Sequence, residues 1–262
     1  VSRFSHFLQR AFGHARPMRP VSLLVSAALV LAAVAAPVRA DNAGGRANSL
    51  LSQLQRLAPE ADPQVLALAL ESAECASASG TIPAPRRLAV IDYSRPSTER
   101  RLWVFDLASP RVLYSEYVAH GRASGENLPT AFSNLDSSHQ SSLGLFATAE
   151  VYTGHNGVSM RMDGLEPGFN DKSEERAIVM HSAAYADPRV VPGLGRLGRS
   201  QGCPAVRPAV AARLINTLKR GSYVFAYYPQ PKWLETSRFL APQSCAVARA
   251  ARTPEVIASL LK

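Results

Sequence analysis

At Arg87 the apolar residues of this chain change their period. Upstream, Leu50, Leu51, Leu54, Leu57, Val65, Leu66, Leu68 and Ala69 recur every three or four positions, the spacing of a helix face. Pro59 and Pro63 divide that stretch into two helices, and 77–85 (SASGTIPAP) has the composition of a linker. Downstream, apolar residues gather in short blocks at 88–93, 102–105, 112–118, 143–152, 158–162, 176–180 and 223–228. Blocks of that length read as strands, with Ser109-Pro110-Arg111 turning the second into the third. One clear helix, 208–219, opens on a proline in its first turn and ends before Gly221. The pattern therefore predicts a mainly β (α+β) domain over 87–230, preceded by a short helical extension and linker at 41–86. A weakly patterned tail follows at 231–262, with a short helix from Pro254.

The formal charge of +9 suggests a nucleic-acid binder only until it is located. Residues 1–40 hold Arg3, Arg10, Arg16, Arg19 and Arg39 and no acid, so their removal lowers +9 to +4. The remaining charge suits mild attraction to an anionic wall polymer, and no Lys/Arg run marks a phosphate-tracking groove. Four of those arginines precede the apolar run 21–36, and Val38-Arg39-Ala40 places small residues at the −3 and −1 positions. This reads as a signal peptide cleaved after Ala40, with an uncleaved anchor as the alternative. Either way the domain is expected in the periplasm or otherwise outside the cytoplasm.

Three cysteines in an oxidising compartment leave an odd thiol. The economical reading bridges Cys75 to Cys245 and leaves Cys203 free. The alternative is three buried thiols acting as small hydrophobes. Cys203 lies in the polar, Gly-rich run Gly198-Arg199-Ser200-Gln201-Gly202-Cys203-Pro204, and all six histidines precede it. The nearest, His181, closes the apolar run 177–180. A thiol in a Gly-flanked loop and an imidazole ending a strand make a nucleophile and its base.

Ionising that thiol near neutral pH needs electrostatic help, expected from His181, Arg199, Arg207 and the positive end of the helix starting at Pro208. The amides of Gly202 and Cys203 are candidate oxyanion donors; Pro204 has no N–H to give. The polar stretch 120–142, with six serines, is either a floppy surface loop or a binding loop over the site.

Competing chemistries fail on residue order. No histidine follows Cys203, which excludes papain-like endopeptidases. Ser-x-x-Lys occurs only at 259–262, at the chain end. His120, His139, His155 and His181 are each at least sixteen residues apart and no HExxH exists, so no metal is expected. A sortase shares the order His, Cys, Arg but needs a Thr-Leu-x-Thr-Cys strand absent here. No cofactor motif is present.

The blocks His120-Gly121-Arg122-Ala123-Ser124-Gly125, Phe132-Ser133-Asn134, Ser141-Ser142-Leu143-Gly144, 176–181 and 198–206 together resemble the murein L,D-transpeptidase catalytic domain family, a divergent branch of the YkuD-like L,D-transpeptidases. The resemblance implies a YkuD-like β-sandwich and, as substrate, peptidoglycan stem peptides. It implies acyl transfer from a stem tetrapeptide with D-alanine leaving, and inhibition by carbapenems. Mapped here, Cys203 is the nucleophile, His181 the base, the Ser182 carbonyl its orienter, and Gly202 part of the catalytic loop. Arg199, Ser200, Gln201, His120, Ser124 and Tyr185 fall on the substrate-binding side. No obligate protein partner is implied. The sequence departs from the common pattern in having Gln201 where a histidine is usual, Pro204 after the cysteine, and no arginine downstream before Arg207. Readings that keep the same domain are an L,D-carboxypeptidase or amidase with water as acceptor, and a non-catalytic wall-binding module.

Overall fold

A computed structural model describes residues 49–80, 83–241, 243 and 245. The signal segment with its cleavage point, and the short helix expected from Pro254, lie outside those residues. Helix α1 occupies 49–57, and α2 spans Pro63–Ala78. Asp62 caps α2 by accepting from Gln64 N–H at 2.7 Å and Val65 N–H at 3.2 Å, with Pro63 fitting the first turn. Such a cap contributes about 1 kcal/mol.

Eight strands follow: β1 (Arg87–Asp92), β2 (Leu102–Asp106), β3 (Arg111–Glu116), β4 (Gly144–Gly154), β5 (Gly157–Gly164), β6 (Val179–Ser182), β7 (Ala205–Val206) and β8 (Ser222–Tyr227). Between them lie α3 (Val191–Leu194) and α4 (Pro208–Leu218), with α5 (Pro231–Thr236) after the last strand. They form one continuous ladder in the order β3-β2-β1-β8-β4-β5-β6-β7. The pairs β1–β8 and β6–β7 are parallel and the others antiparallel. The mainly β fold with N-terminal helices agrees with the sequence reading.

The central strands are buried on both faces, which is why β1, β2 and β8 read as unbroken apolar blocks. On one face Tyr223, Phe225 and Tyr227 alternate outward; Phe225 and Tyr227 pack on Trp233 of α5 at ring separations of 5.7 and 6.1 Å. On the other, Ile91, Phe146, Met162, Val224 and Ala226 line a small cavity roofed by Ile178, Gly202 and Pro204. Helix α4 contributes Val210, Ala211, Leu214, Ile215 and Leu218 to the same core from one stripe. Buried Glu166 joins β4 to the segment after α5: it accepts from Leu145 N–H at 2.8 Å, Trp233 Nε1–H at 2.9 Å and the Ser237 hydroxyl.

Two boundaries differ from the apolar pattern. The strand expected at 176–180 starts at Val179, because Arg176, Ala177 and Ile178 N–H groups bond back to Lys172, Glu174 and Ser173 carbonyls. Ala177 there takes the left-handed conformation, φ 51°. The tail beyond 230, weakly patterned in sequence, contains α5 with fully buried Trp233. Cys75 and Cys245 are joined by a disulfide, Cα–Cα 5.4 Å, tying α2 to the tail. Closing a loop that long contributes on the order of 4 kcal/mol.

Candidate active site

The site lies where β6 and β7 run side by side. His181 pairs with Ala205, and its N–H donates to the Pro204 carbonyl at 3.3 Å. This parallel step fixes the histidine strand against the residue that follows the cysteine. The imidazole is buried, and its Nδ1 lies 2.9 Å from the Ser182 carbonyl. A carbonyl only accepts, so Nδ1 carries the proton and Nε2 keeps an open lone pair. Burial pulls the His181 pKa below its ordinary value, against a smaller upward push from Ser182. The ring therefore rests neutral, in the tautomer a general base requires.

Cys203 is the one free cysteine and is half-buried. Its sulfur accepts from Val179 N–H at 3.4 Å, and its S–H donates toward the Ala177 carbonyl at 3.6 Å. Both contacts follow from the left-handed turn at Ala177, which aims one carbonyl and a nearby amide at the same point. Burial pushes the thiol pKa up, while the Val179 hydrogen bond and then the Arg176 charge pull it down. Among the described residues no hydrogen bond joins His181 to the sulfur. The resting pair is a neutral thiol on a backbone carbonyl beside a neutral imidazole. Hydrogen bonds of this kind commonly tighten only when substrate is bound.

The loop that carries the cysteine is pinned from within and from without. Ser200 Oγ donates to the Cys203 carbonyl at 2.6 Å and accepts from Gly202 N–H at 3.1 Å. The Gly202 amide is thus occupied, which corrects its expected role as an oxyanion donor. Its contribution is space: a Cβ there would meet the Gln140 carbonyl at 2.9 Å and Ile178 Cδ1 at 3.0 Å. The Cys203 amide remains as the backbone donor at the nucleophile. Ser141 Oγ donates to the Gly202 carbonyl and accepts from Gly121 N–H, both at 2.9 Å. Stretch 120–142 is therefore packed against the nucleophile loop, not floppy.

Several expected binding residues serve that packing instead. His120 is fully buried: Nδ1 accepts from Arg101 Nη2 at 2.7 Å, and Nε2 faces the Gly125 carbonyl at 3.3 Å. Burial, then the Arg101 charge, lowers its pKa to about 3. Ser124, also buried, accepts from Ser141 N–H at 2.9 Å. Both were expected to face substrate, but the requirement for satisfied polar groups inside the loop consumes them. Arg199 bonds Glu126 at 2.7 Å and the Gly125 carbonyl at 2.9 Å, and Arg207 is bidentate on Glu116 at 2.8 and 2.9 Å. Neither cation is the thiol's partner. That position belongs to Arg176, which the sequence reading did not single out by itself.

Gln201 is exposed, two residues before Cys203. Tyr185, half-buried, sets its ring edge-on to His181 with centroids 6.4 Å apart. Its pKa is pushed up to about 12, by burial first and then by the nearby sulfur. Beneath the loop Tyr93 lines the same small cavity as Ser141 and lies 5.2 Å under the Arg101 guanidinium. Among the described residues no group of three or more His, Cys, Asp or Glu is placed to hold a metal ion.

A sequence profile of the L,D-transpeptidase catalytic domain matches residues 57–227, well over half of the chain. The chain belongs to the L,D-transpeptidase catalytic domain family. The matched stretch takes in α2 and runs through β8, so it spans the whole sheet. Among solved structures, an L,D-transpeptidase from Mycobacterium smegmatis shares 15% identity at TM-score 0.35, covering 55% of this chain and 60% of that one. An L,D-transpeptidase from Stackebrandtia nassauensis shares 13% identity at TM-score 0.36, covering 71% and 92%. L,D-transpeptidase 3 from Mycobacterium tuberculosis, in complex with a faropenem-derived adduct, shares 15% at TM-score 0.35, covering 55% and 61%. The chain thus spans about 60% of the length of the first of these structures. No curated protein matches it by sequence.

Proposed function

We propose that this L,D-transpeptidase-family protein is exported and crosslinks peptidoglycan through a thioester on Cys203. The observation that carries the reading is the pairing of one free, loop-held thiol with a neighbouring buried imidazole whose Nε2 is left open by the Ser182 carbonyl. In the acylation step His181 Nε2 takes the thiol proton as Cys203 Sγ attacks the stem-tetrapeptide carbonyl preceding D-alanine. The Cys203 amide holds the developing oxyanion. The C–N bond then breaks, the proton passes from His181 to the departing amine, and D-alanine leaves. An amine of a second stem attacks the thioester, His181 takes its proton, and collapse returns that proton to the sulfur. Substrate has first to draw the S–H off the Ala177 carbonyl and toward the ring.

Exposed Gln201 and the ring of Tyr185 flank the nucleophile on its open side and suit contacts to the stem peptide. One solved relative carries a faropenem-derived adduct, and another is described in complex with imipenem. By the same thiol chemistry a carbapenem should acylate Cys203 here, adding its mass to the intact protein. The direct test incubates residues 41–262 with disaccharide-tetrapeptides and analyses products by mass spectrometry. Crosslinked dimers support the proposal, shortened monomers point to water as acceptor, and unchanged muropeptides refute an enzymatic role.

A further inference from the structure

Resting on the reading of Cys203 as nucleophile, we propose that Arg176 is the positioning residue that sets the ionisation of Cys203 while clamping segment 133–142 over it. The guanidinium is half-buried and spends its donors in one direction. Nη1 donates to the Ser133 carbonyl at 2.7 Å and to Ser142 Oγ; Nη2 donates to Ser138 Oγ at 3.1 Å and the Gln140 carbonyl at 2.7 Å. Every one of these acceptors is neutral, so no carboxylate bonded to Arg176 cancels its charge. A Cβ built on Gly202, the residue before the nucleophile, would lie 3.4 Å from Nη2. The cation therefore sits against the peptide that carries the thiol.

Its backbone completes the arrangement. Arg176 immediately precedes left-handed Ala177, whose carbonyl receives the S–H, and two residues further on Val179 N–H reaches the sulfur. One short segment thus supplies a charge, an acceptor for the thiol proton and a donor for the thiolate. The other charged or titratable groups facing this point are His181, Tyr93 and Tyr185, with Asp136 near the Arg176 guanidinium. The two tyrosines are held protonated by burial and His181 rests neutral, so Arg176 is the cation nearest the sulfur. The two arginines closest to Cys203 in sequence are paired with Glu126 and Glu116 instead.

The test separates charge from clamping. Alkylation of Cys203 by iodoacetamide is followed by intact mass as a function of pH in wild type, Arg176→Lys and Arg176→Gln, with circular dichroism confirming each fold. Both substitutions cut the bonds to segment 133–142, but only Gln removes the charge. Arg176→Gln should alkylate roughly three- to tenfold more slowly near pH 7, with its profile displaced to higher pH, while Arg176→Lys stays within about twofold of wild type. Equal loss in both variants would assign Arg176 a clamping role only and overturn the electrostatic half. An unchanged profile in Arg176→Gln would overturn the proposal outright. If Gln fails to fold, an Arg176→Lys variant that keeps its fold but alkylates more than about threefold more slowly near pH 7, with its profile displaced to higher pH, overturns it too. Alkylation needs no peptidoglycan, so these outcomes stand apart from whether muropeptides are crosslinked.

Discussion

Replacing Gly202 by alanine probes the tightest backbone approach at the site. Gly202 has φ 134°, a conformation that costs a non-glycine residue roughly 1–3 kcal/mol. The added methyl would also lie 2.9 Å from the Gln140 carbonyl, a backbone atom held by Arg176, and 3.0 Å from Ile178 Cδ1. Relief requires moving the loop against the Ser141–Gly202 hydrogen bond, which adds overpacking strain of about 1–2 kcal/mol. Together these give a loss of about 2–5 kcal/mol, or a melting point lower by about 4–20 °C for a domain of this size. Gly195→Ala is the internal control: its φ is 67°, yet nothing lies within 4 Å of its Cβ direction, so only the conformational cost of about 1 kcal/mol remains. Thermal unfolding by circular dichroism, disulfide intact, reads both variants. If Gly202→Ala melts within about 1 °C of wild type, or no lower than Gly195→Ala, the reasoning about close approach is wrong.

Acid should destabilise the fold through His120. Its pKa is lowered to about 3 in the folded protein, so its contribution is complete above the ordinary histidine range and is lost as pH falls toward 3. Urea unfolding between pH 7 and 4 should show a loss of a few kcal/mol that His120→Gln flattens; parallel pH profiles would contradict this. Glu166→Ala strands three donors in the core and should cost about 3–5 kcal/mol in urea unfolding, against which a loss below about 1 kcal/mol would count. Cys203→Ser should abolish crosslinked dimers by mass spectrometry while leaving the melting point within about 2 °C of wild type, since the side chain bonds only backbone atoms. Turnover by that variant at wild-type rates would remove the sulfur from the mechanism.

The sequence made the sheet legible where burial on both faces forces unbroken apolar blocks, as in β1, β2 and β8. It made α4 legible through the five-residue stripe Val210 to Leu218. It could not reveal β7, whose two residues have no period, or α5, whose anchor is a single tryptophan packed across the fold. Strand order stayed hidden too, because pairing of β1 with β8 depends on contacts remote in sequence. At the site, residue order singled out Cys203, His181 and Ser182, since their chemistry is local and their neighbours distinctive. Arg176 was passed over because Arg199 and Arg207 lie nearer along the chain. Glu126 and Glu116, distant in sequence, claim those two in space. The family resemblance put His120 and Ser124 on the substrate side, and only burial shows them satisfied internally.

The parallel union of β1 with β8 carries one further consequence, for biogenesis. Residues 87–92 pair with β2 along one edge, but their other edge cannot close until residues 222–227 have emerged. A polypeptide made from its amino end therefore keeps that edge open until residue 227 is available. Loss of even the last matched strand should leave two half-sheets with raw edges, and such a truncated chain should aggregate instead of folding to a smaller native core.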